Sequence, residues 1–167
     1  PREEGLAPGN GTLVSAVHTA VGQLPVVAGK PEKAIFETAL SHFGSSSAVY
    51  VGDRLDTDVL GANRAGIGSA LVMTGVTTRK ELLAAKADSR PTFILGTLKE
   101  LLIGYQQPTK TKRGYKLGDA EVELLGQKVL VSFGDPKSLD ALKCACFTIW
   151  DSGQPIHTLD VESALYE

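Results

Sequence analysis

Apolar and polar positions along the chain fall into two alternating periods. Leu13, Val14, Val17 and Val21 recur at helical spacing after Thr12 and stop at Gly22, which predicts a helix capped by Thr12 and ended by glycine. A loop from Gly5 to Gly11 precedes it, marked by Pro8 and the Gly9-Asn10-Gly11 turn signal. Leu24 to Ala28 is a short apolar run that predicts a buried strand. Pro31 then fits the first turn of a helix reaching about Phe43, with Ala34, Ile35, Ala39 and Leu40 inward. The unit recurs as a strand Ala48 to Val51 and a helix with Val59, Leu60 and Ala62 that stops at Gly66. A strand Ser69 to Met73 and a turn Thr74-Gly75-Val76 follow. Thr77 or Thr78 begins the next helix, with Glu81 in its first turns, before a strand Thr92 to Leu95 and a helix Thr97 to Ile103. Strands alternating with helices of this length call for right-handed crossovers and a parallel sheet, so the expected fold class is α/β with a Rossmannoid core. Functional residues in such sheets gather at the carboxyl tips of the strands.

After Gly104 the texture changes. Gln106 to Lys116 is polar and basic, as expected of a linker, and Lys110, Lys112, Arg113 and Lys116 read as a solvated loop because only Tyr115 offers an aromatic face. Beyond it, Ala120 to Leu125 and Lys128 to Phe133 are expected to pair around Gly126. Lys137 to Ala145 reads as helix, Phe147 to Trp150 as a strand, and Leu159 to Tyr166 as a weakly helical tail. This is a small α+β extension at the carboxyl end, and it holds no constellation that suggests chemistry.

Composition narrows the function classes. Apolar residues make up 43% of the 167 and charged ones 22%, with a formal net charge of -2, so bulk electrostatics indicate neither nucleic-acid nor membrane binding. No run is long and apolar enough for a membrane span, and no signal-peptide pattern opens the chain, so a cytoplasmic location is the expectation. Cys144 and Cys146 read as two small apolar residues, and His18, His42 and His157 are scattered without partners. The chain opens Pro1-Arg2-Glu3-Glu4 and its single methionine is Met73; a processed chain, a trimmed one and a piece of something longer all remain open.

The chemistry concentrates in Val49-Tyr50-Val51-Gly52-Asp53-Arg54-Leu55-Asp56-Thr57-Asp58, a strand that ends in three carboxylates within six positions. Carboxylates so close repel one another unless a cation or a hydrogen-bond network compensates them, so a metal site is the first hypothesis. Phosphoryl transfer needs a hard cation on oxygen ligands, a positive group facing the phosphate and an in-line nucleophile. Asp53 offers the oxygen ligand, and Asp58 can orient its neighbours or hold a metal-bound water. Asp56 need not face the same way, and Lys30 supplies the point charge at another strand tip. Taken singly, Lys30 is a surface lysine at a helix start, Asp53 an N-cap, and Asp56 and Asp58 carboxylates that favour a helix dipole. Taken with the ordered glycines and strands, the functional reading is preferred.

Those residues carry a family resemblance. Pro8-Gly9-Asn10-Gly11, Val27-Ala28-Gly29-Lys30-Pro31, the segment Val51 to Asp58, Gly61-Ala62, Ala65-Gly66-Ile67 and Leu71-Val72-Met73-Thr74-Gly75-Val76 stand in an order and spacing that resemble the haloacid-dehalogenase (HAD)-like phosphatases with the large C2 cap. This group includes NagD-like, phosphoglycolate and glycerol-phosphate phosphatases. The resemblance implies the carboxyl half of a HAD-like core from about Pro8 to Ile103. Residues 1–23 would be the end of the cap region and the return to the core, 24–105 the half-core, 106–116 a linker and 117–167 the extension. It further implies Mg2+ as cofactor on Asp53, catalytic roles for Lys30 and Asp58, and Lys30 and Arg54 as the cations facing a small phosphate ester. The family's opening Asp-x-Asp-Gly-Thr strand is not in this sequence. Phe147-Thr148-Ile149-Trp150-Asp151-Ser152-Gly153 is the nearest match and lacks the second carboxylate. The expected activity is phosphomonoester hydrolysis through an aspartyl-phosphate, with the nucleophile on a complementing amino-terminal half that is cleaved or a separate chain. The alternative is a non-catalytic half-core that serves as scaffold or interaction module.

Overall fold

The computed structural model describes residues 3, 5 and 7–167; Pro1, Arg2, Glu4 and Leu6, which fall in the expected 1–23 segment, lie outside the described residues. Two helices lead the chain. The first, α1 (Asn10–Val21), starts two residues earlier than Thr12 because Gly9 is the cap, and it ends as expected on left-handed Gly22. It buries none of its residues, and its stripe of Leu13, Val17 and Val21 stays exposed. The second, α2 (Lys33–Phe43), ends on left-handed Gly44. It turns Phe36 inward, whereas Ala34, Ile35 and Ala39 are exposed and Leu40 is half-buried, a correction to the expected inner face.

Leu24 to Ala28 does not form the expected strand: it is irregular, with Leu24 82% and Val26 99% exposed. A strand must exchange hydrogen bonds with a neighbour, and among the described residues none pairs with this run.

The parallel sheet is built from β1 (Val49–Gly52), β2 (Gly68–Val72) and β3 (Phe93–Leu95), in the order β1-β2-β3. Register runs from Val49 opposite Gly68 and from Ala70 opposite Phe93. Four of the five residues of β2 are buried, as a strand covered on both faces requires. A π-turn Leu55–Val59 leads into α3 (Leu60–Arg64), which crosses from β1 to β2, and α4 (Arg79–Leu83) crosses from β2 to β3. The expected helix starts at Thr78: its hydroxyl accepts from the Glu81 amide while the Glu81 carboxylate accepts from the Thr78 amide. Thr97 and Glu100 repeat this reciprocal cap, but Leu98–Leu102 is a tighter 3-10 turn rather than the expected α-helix.

The second sheet holds β4 (Thr109–Lys110), β5 (Gly114–Leu117), β6 (Ala120–Leu125), β7 (Lys128–Phe133) and β8 (Asp160–Val161), antiparallel except for the β7 and β8 pair. The β6 and β7 hairpin and its Gly126 turn fall where the pattern put them. The stretch 106–116 is not all loop, since β4 and the start of β5 pair within it. Phe147 to Trp150 is helical, inside α5 (Leu139–Ser152), and not the expected strand. Ala141, Leu142, Cys144, Ala145, Cys146 and Ile149 are all buried, so apolar residues surround this helix and a short run of them carries no helical period. The tail is two 3-10 turns flanking β8. One hydrophobic cluster joins Val59, Leu71, Leu82 and Ile94 of the first sheet's layers to Val122, Val129 and Leu142 of the second.

Candidate functional site

The carboxyl tip of β1 sets the site. Gly52 closes the strand, and the Asp58 side chain folds back across it so tightly that a Cβ there would lie 2.4 Å from Asp58 Cγ. Asp58 is 4% exposed at its side chain, and burying a carboxylate is costly unless its oxygens are satisfied. Oδ2 accepts the amides of Asp53 and Arg54, each at 3.1 Å, and Oδ1 accepts Lys30 Nζ at 2.6 Å. The Arg54 carbonyl accepts both the Asp58 and the Val59 amides, which is the wide turn that carries Asp58 back over the strand end. π-turns of this sort are frequent at functional sites.

Lys30 reaches this carboxylate from the junction ahead of α2. Its Nζ sits 5.6 Å from the centre of the Tyr50 ring, which meets Phe36 edge-on at 4.9 Å. Phe36 rests on Gly61, where a Cβ would come within 2.5 Å of the ring. The packed chain Gly61, Phe36, Tyr50 thus places the ammonium. Its hydrogen bond to Asp58, with Tyr50 assisting, holds the Lys30 pKa above its ordinary 10.5, so the group is cationic at neutral pH.

The other two acidic residues part company. Arg54 donates Nε to Asp56 Oδ1 at 3.0 Å and Nη2 to Oδ2 at 2.7 Å, an exposed two-pronged pair that lowers the Asp56 pKa and occupies the guanidinium. Asp53, half-buried, is held by the loop after β2: its Oδ2 accepts the Val76 amide at 2.9 Å, and its carbonyl accepts the Thr77 amide at 3.1 Å and the Thr77 hydroxyl at 2.6 Å. A Cβ on Gly75 would stand 2.2 Å from Asp53 Oδ2, so only glycine lets the loop approach. Among the described residues, Asp53 Oδ1 accepts no hydrogen bond. Of the three carboxylates, Asp53 is the one without a cationic partner among the described residues.

The structure therefore joins Lys30, Asp53 and Asp58 through one carboxylate and turns Arg54 and Asp56 toward each other. Phe36, Tyr50, Gly75 and Thr77 escaped sequence reasoning. The turn Thr74-Gly75-Val76 at a strand's carboxyl tip was the available signal for the last two. Asp151, the aspartate of the partial first-motif match, lies within α5 and pairs with Lys110 and with the Tyr115 hydroxyl at 3.2 Å, so that segment is not a strand tip. Both cysteines are buried; burial pushes Cys144 up to about 12 and Cys146 higher still.

Among the described residues, no group of three or more His, Cys, Asp or Glu side chains is placed to hold a metal ion. The uncommitted Asp53 oxygen suits a hard cation as one anchoring ligand of the several that such an ion takes. Among the same residues, no helix is long and apolar enough to cross a membrane.

The HAD-hydrolase-like family model matches residues 27–101, a span that contains Lys30, Asp53, Asp58 and the Thr77 loop. Residues 27–101 are a HAD-like hydrolase segment. The chain is also similar to curated phosphatases. One is the D-glycerol 3-phosphate phosphatase of Mycobacterium tuberculosis, 46% identical over 101 residues, covering 60% of this chain and 29% of that protein. Another is the acid sugar phosphatase of Staphylococcus haemolyticus, 40% identical over 95 residues, 56% of this chain and 35% of that one. Among solved structures, the glycerol phosphate phosphatase from Mycobacterium tuberculosis in complex with magnesium superposes with a TM-score of 0.75 at 33% identity, over 97% of this chain and 47% of that one. The likeness thus extends past the HAD-like segment into the second sheet. The p-nitrophenyl phosphatase from Archaeoglobus fulgidus follows at a TM-score of 0.54 and 34% identity, over 61% of this chain and 41% of its own. The chain spans less than half the length of each of these relatives.

Proposed function

We propose that this chain forms one wall of a magnesium-dependent phosphomonoesterase site that acts on small phosphorylated metabolites such as glycerol phosphate, phosphoglycolate or sugar phosphates. The observation that carries the reading is the convergence, at the tip of β1, of the Lys30 ammonium and a carboxylate with an uncommitted oxygen, tied together by Asp58. The phosphatases named above, and the magnesium in one of them, support it.

Asp53 would hold the cation, which when bound offsets the charge of the phosphoryl group. Lys30, already cationic, faces the phosphoryl oxygens and the attacking carboxylate. Asp58 keeps both in place, fixing the Lys30 ammonium with one oxygen and the Asp53 and Arg54 amides with the other. Arg54 would meet the rest of the substrate by exchanging its exposed pairing with Asp56, a pair of the kind that contributes about 0–1 kcal/mol and so gives way cheaply.

The nucleophile comes from an aspartate on a complementing amino-terminal half, cleaved or a separate chain. Its carboxylate bonds to phosphorus as the ester P–O bond breaks and the leaving oxygen takes a proton from a carboxylic acid on that same half; water then cleaves the aspartyl-phosphate, releasing inorganic phosphate and restoring the carboxylate. The apolar groove between α2 and β1, lined by Ile35, Phe36, Ala39, Val49 and Tyr50 with Lys30 at its edge, is the surface such a half would cover. The test is turnover of p-nitrophenyl phosphate with magnesium. The 167 residues alone should show negligible hydrolysis and weak or no magnesium binding by calorimetry. Robust hydrolysis that Asp53→Ala and Lys30→Ala abolish would place the nucleophile inside this chain and contradict the reading. A complemented chain that folds and stays inactive would mark it as a scaffold.

A further inference from the structure

Helix α4 has five residues, too few to hold its place by its own hydrogen bonds. Its position is imposed from outside. Arg79, its first residue, donates Nε to the Leu165 carbonyl at 2.8 Å and Nη1 to that of Lys137 at 3.0 Å. Nη2 donates to the carbonyls of Pro136 at 3.2 Å and Ser138 at 3.1 Å. All four acceptors belong to the carboxyl-terminal part of the chain, three of them at the entry to α5 and one in the 3-10 turn Ser163–Leu165. At the far end of α4, the Leu83 carbonyl accepts Trp150 Nε1 at 3.3 Å.

A guanidinium spent on backbone carbonyls fixes main chain to main chain, and its planar fork sets angle as well as distance. What it fixes here is the segment immediately before it. Val76 and Thr77, three and two residues upstream of Arg79, supply every hydrogen bond that the Asp53 carboxylate and carbonyl accept from the β2 loop.

We infer that Arg79 is a positioning residue that braces the Val76 to Thr78 loop, and through it Asp53, against the carboxyl-terminal α+β part of the chain. Its consequence for chemistry rests on the reading of Asp53 as the cation ligand, whereas its geometry does not. The extension then has a task, which is to hold the far side of the strand-tip loop. Lysine at position 79 retains the charge but has only three donors on a flexible stem, so it can replace the fork in part.

Nuclear magnetic resonance on the full labelled chain tests this directly. In Arg79→Met, the Val76 and Thr77 amides should exchange with solvent about tenfold faster or more, and the Val76 amide proton should lose part of the downfield shift that a carboxylate acceptor imposes. The Leu71 and Ile94 amides of the sheet should keep their protection, and Arg79→Lys should recover an intermediate rate. Unchanged Val76 and Thr77 amides, or a loss shared equally with Leu71 and Ile94 in both variants, would overturn the brace. Should Arg79→Met loosen the sheet, Trp150→Phe, which removes the bond to Leu83 and trims the ring that Arg90 stands over, must give the same selective pattern at a smaller factor, and its absence would overturn the brace too. Selective acceleration with no response of the Asp53 amide to magnesium once the complementing amino-terminal half is supplied upholds the brace and removes instead the reading of Asp53 as a ligand.

Discussion

Asp58→Asn is the substitution that most sharply separates a supporting carboxylate from a merely acidic loop. The wild-type side chain accepts three hydrogen bonds, two from backbone amides at 3.1 Å and one from Lys30 at 2.6 Å, while only 4% exposed. Asparagine keeps the shape but replaces one oxygen with an NH2, which must face either the two amides or the ammonium, donor against donor. Hydrogen bonds to a charged group contribute roughly 1.5–3 kcal/mol each. The Lys30 end is the cheaper one to lose, because that side chain is 38% exposed and water can replace the partner. The expected cost is therefore about 2 kcal/mol. In urea unfolding followed by the fluorescence of Trp150, with a slope of about 2 kcal/mol/M, the midpoint should fall by about 1 M at unchanged slope. Asp56→Asn, which breaks the exposed pair with Arg54, should cost less than about 0.5 kcal/mol. The pH dependence has a fixed sign. The bond to Asp58 raises the Lys30 pKa, so the stability it contributes is complete below the ordinary 10.5 and is lost as pH rises through the raised value. The gap between wild type and Asp58→Asn should accordingly narrow as pH rises through that alkaline range. Equal costs for the two substitutions, or a cost below about 0.5 kcal/mol for Asp58→Asn, would refute the reasoning.

Three further outcomes follow from single contacts. Gly75→Ala puts a Cβ 2.2 Å from Asp53 Oδ2, so thermal unfolding should show a loss of about 1–3 kcal/mol, and a neutral result would mean that the loop moves freely. Cys144 and Cys146 are buried, with Cys144 pushed up to about 12, so at pH 8 a disulfide reagent should label neither faster than the protein unfolds. Asp56, whose pKa the Arg54 guanidinium lowers, contributes stability that is present above 3.8 and lost as pH falls through the lower folded value, so in urea titration its removal should cost less than about 0.5 kcal/mol at neutral pH and nothing in acid.

The alternation of strands and helices around β1, β2 and β3 was legible because each unit is local, with glycine stops and threonine caps that obey backbone geometry. Lys30 and Asp58, 28 positions apart, were legible only as members of a spaced pattern, and their bond is a product of the tertiary fold. Leu24 to Ala28 was misread because an apolar run specifies a strand only where a neighbouring strand exists to pair with it. Phe147 to Trp150 was misread because α5 is buried nearly all round and its apolar residues have no period to reveal. The role of Gly75 and Thr77 was hidden for a different reason: a turn signal states that the chain reverses, not what it touches afterwards.

The central claim, that Lys30, Asp53 and Asp58 form one wall of a phosphatase site, meets its most direct test in complementation. The chain is to be co-purified with the amino-terminal part of the Mycobacterium tuberculosis glycerol phosphate phosphatase and assayed for phosphate release from glycerol phosphate with and without magnesium. The account predicts hydrolysis that requires both pieces and magnesium and that Asp53→Ala and Lys30→Ala each abolish. Hydrolysis by the complemented pair that survives both substitutions would contradict it.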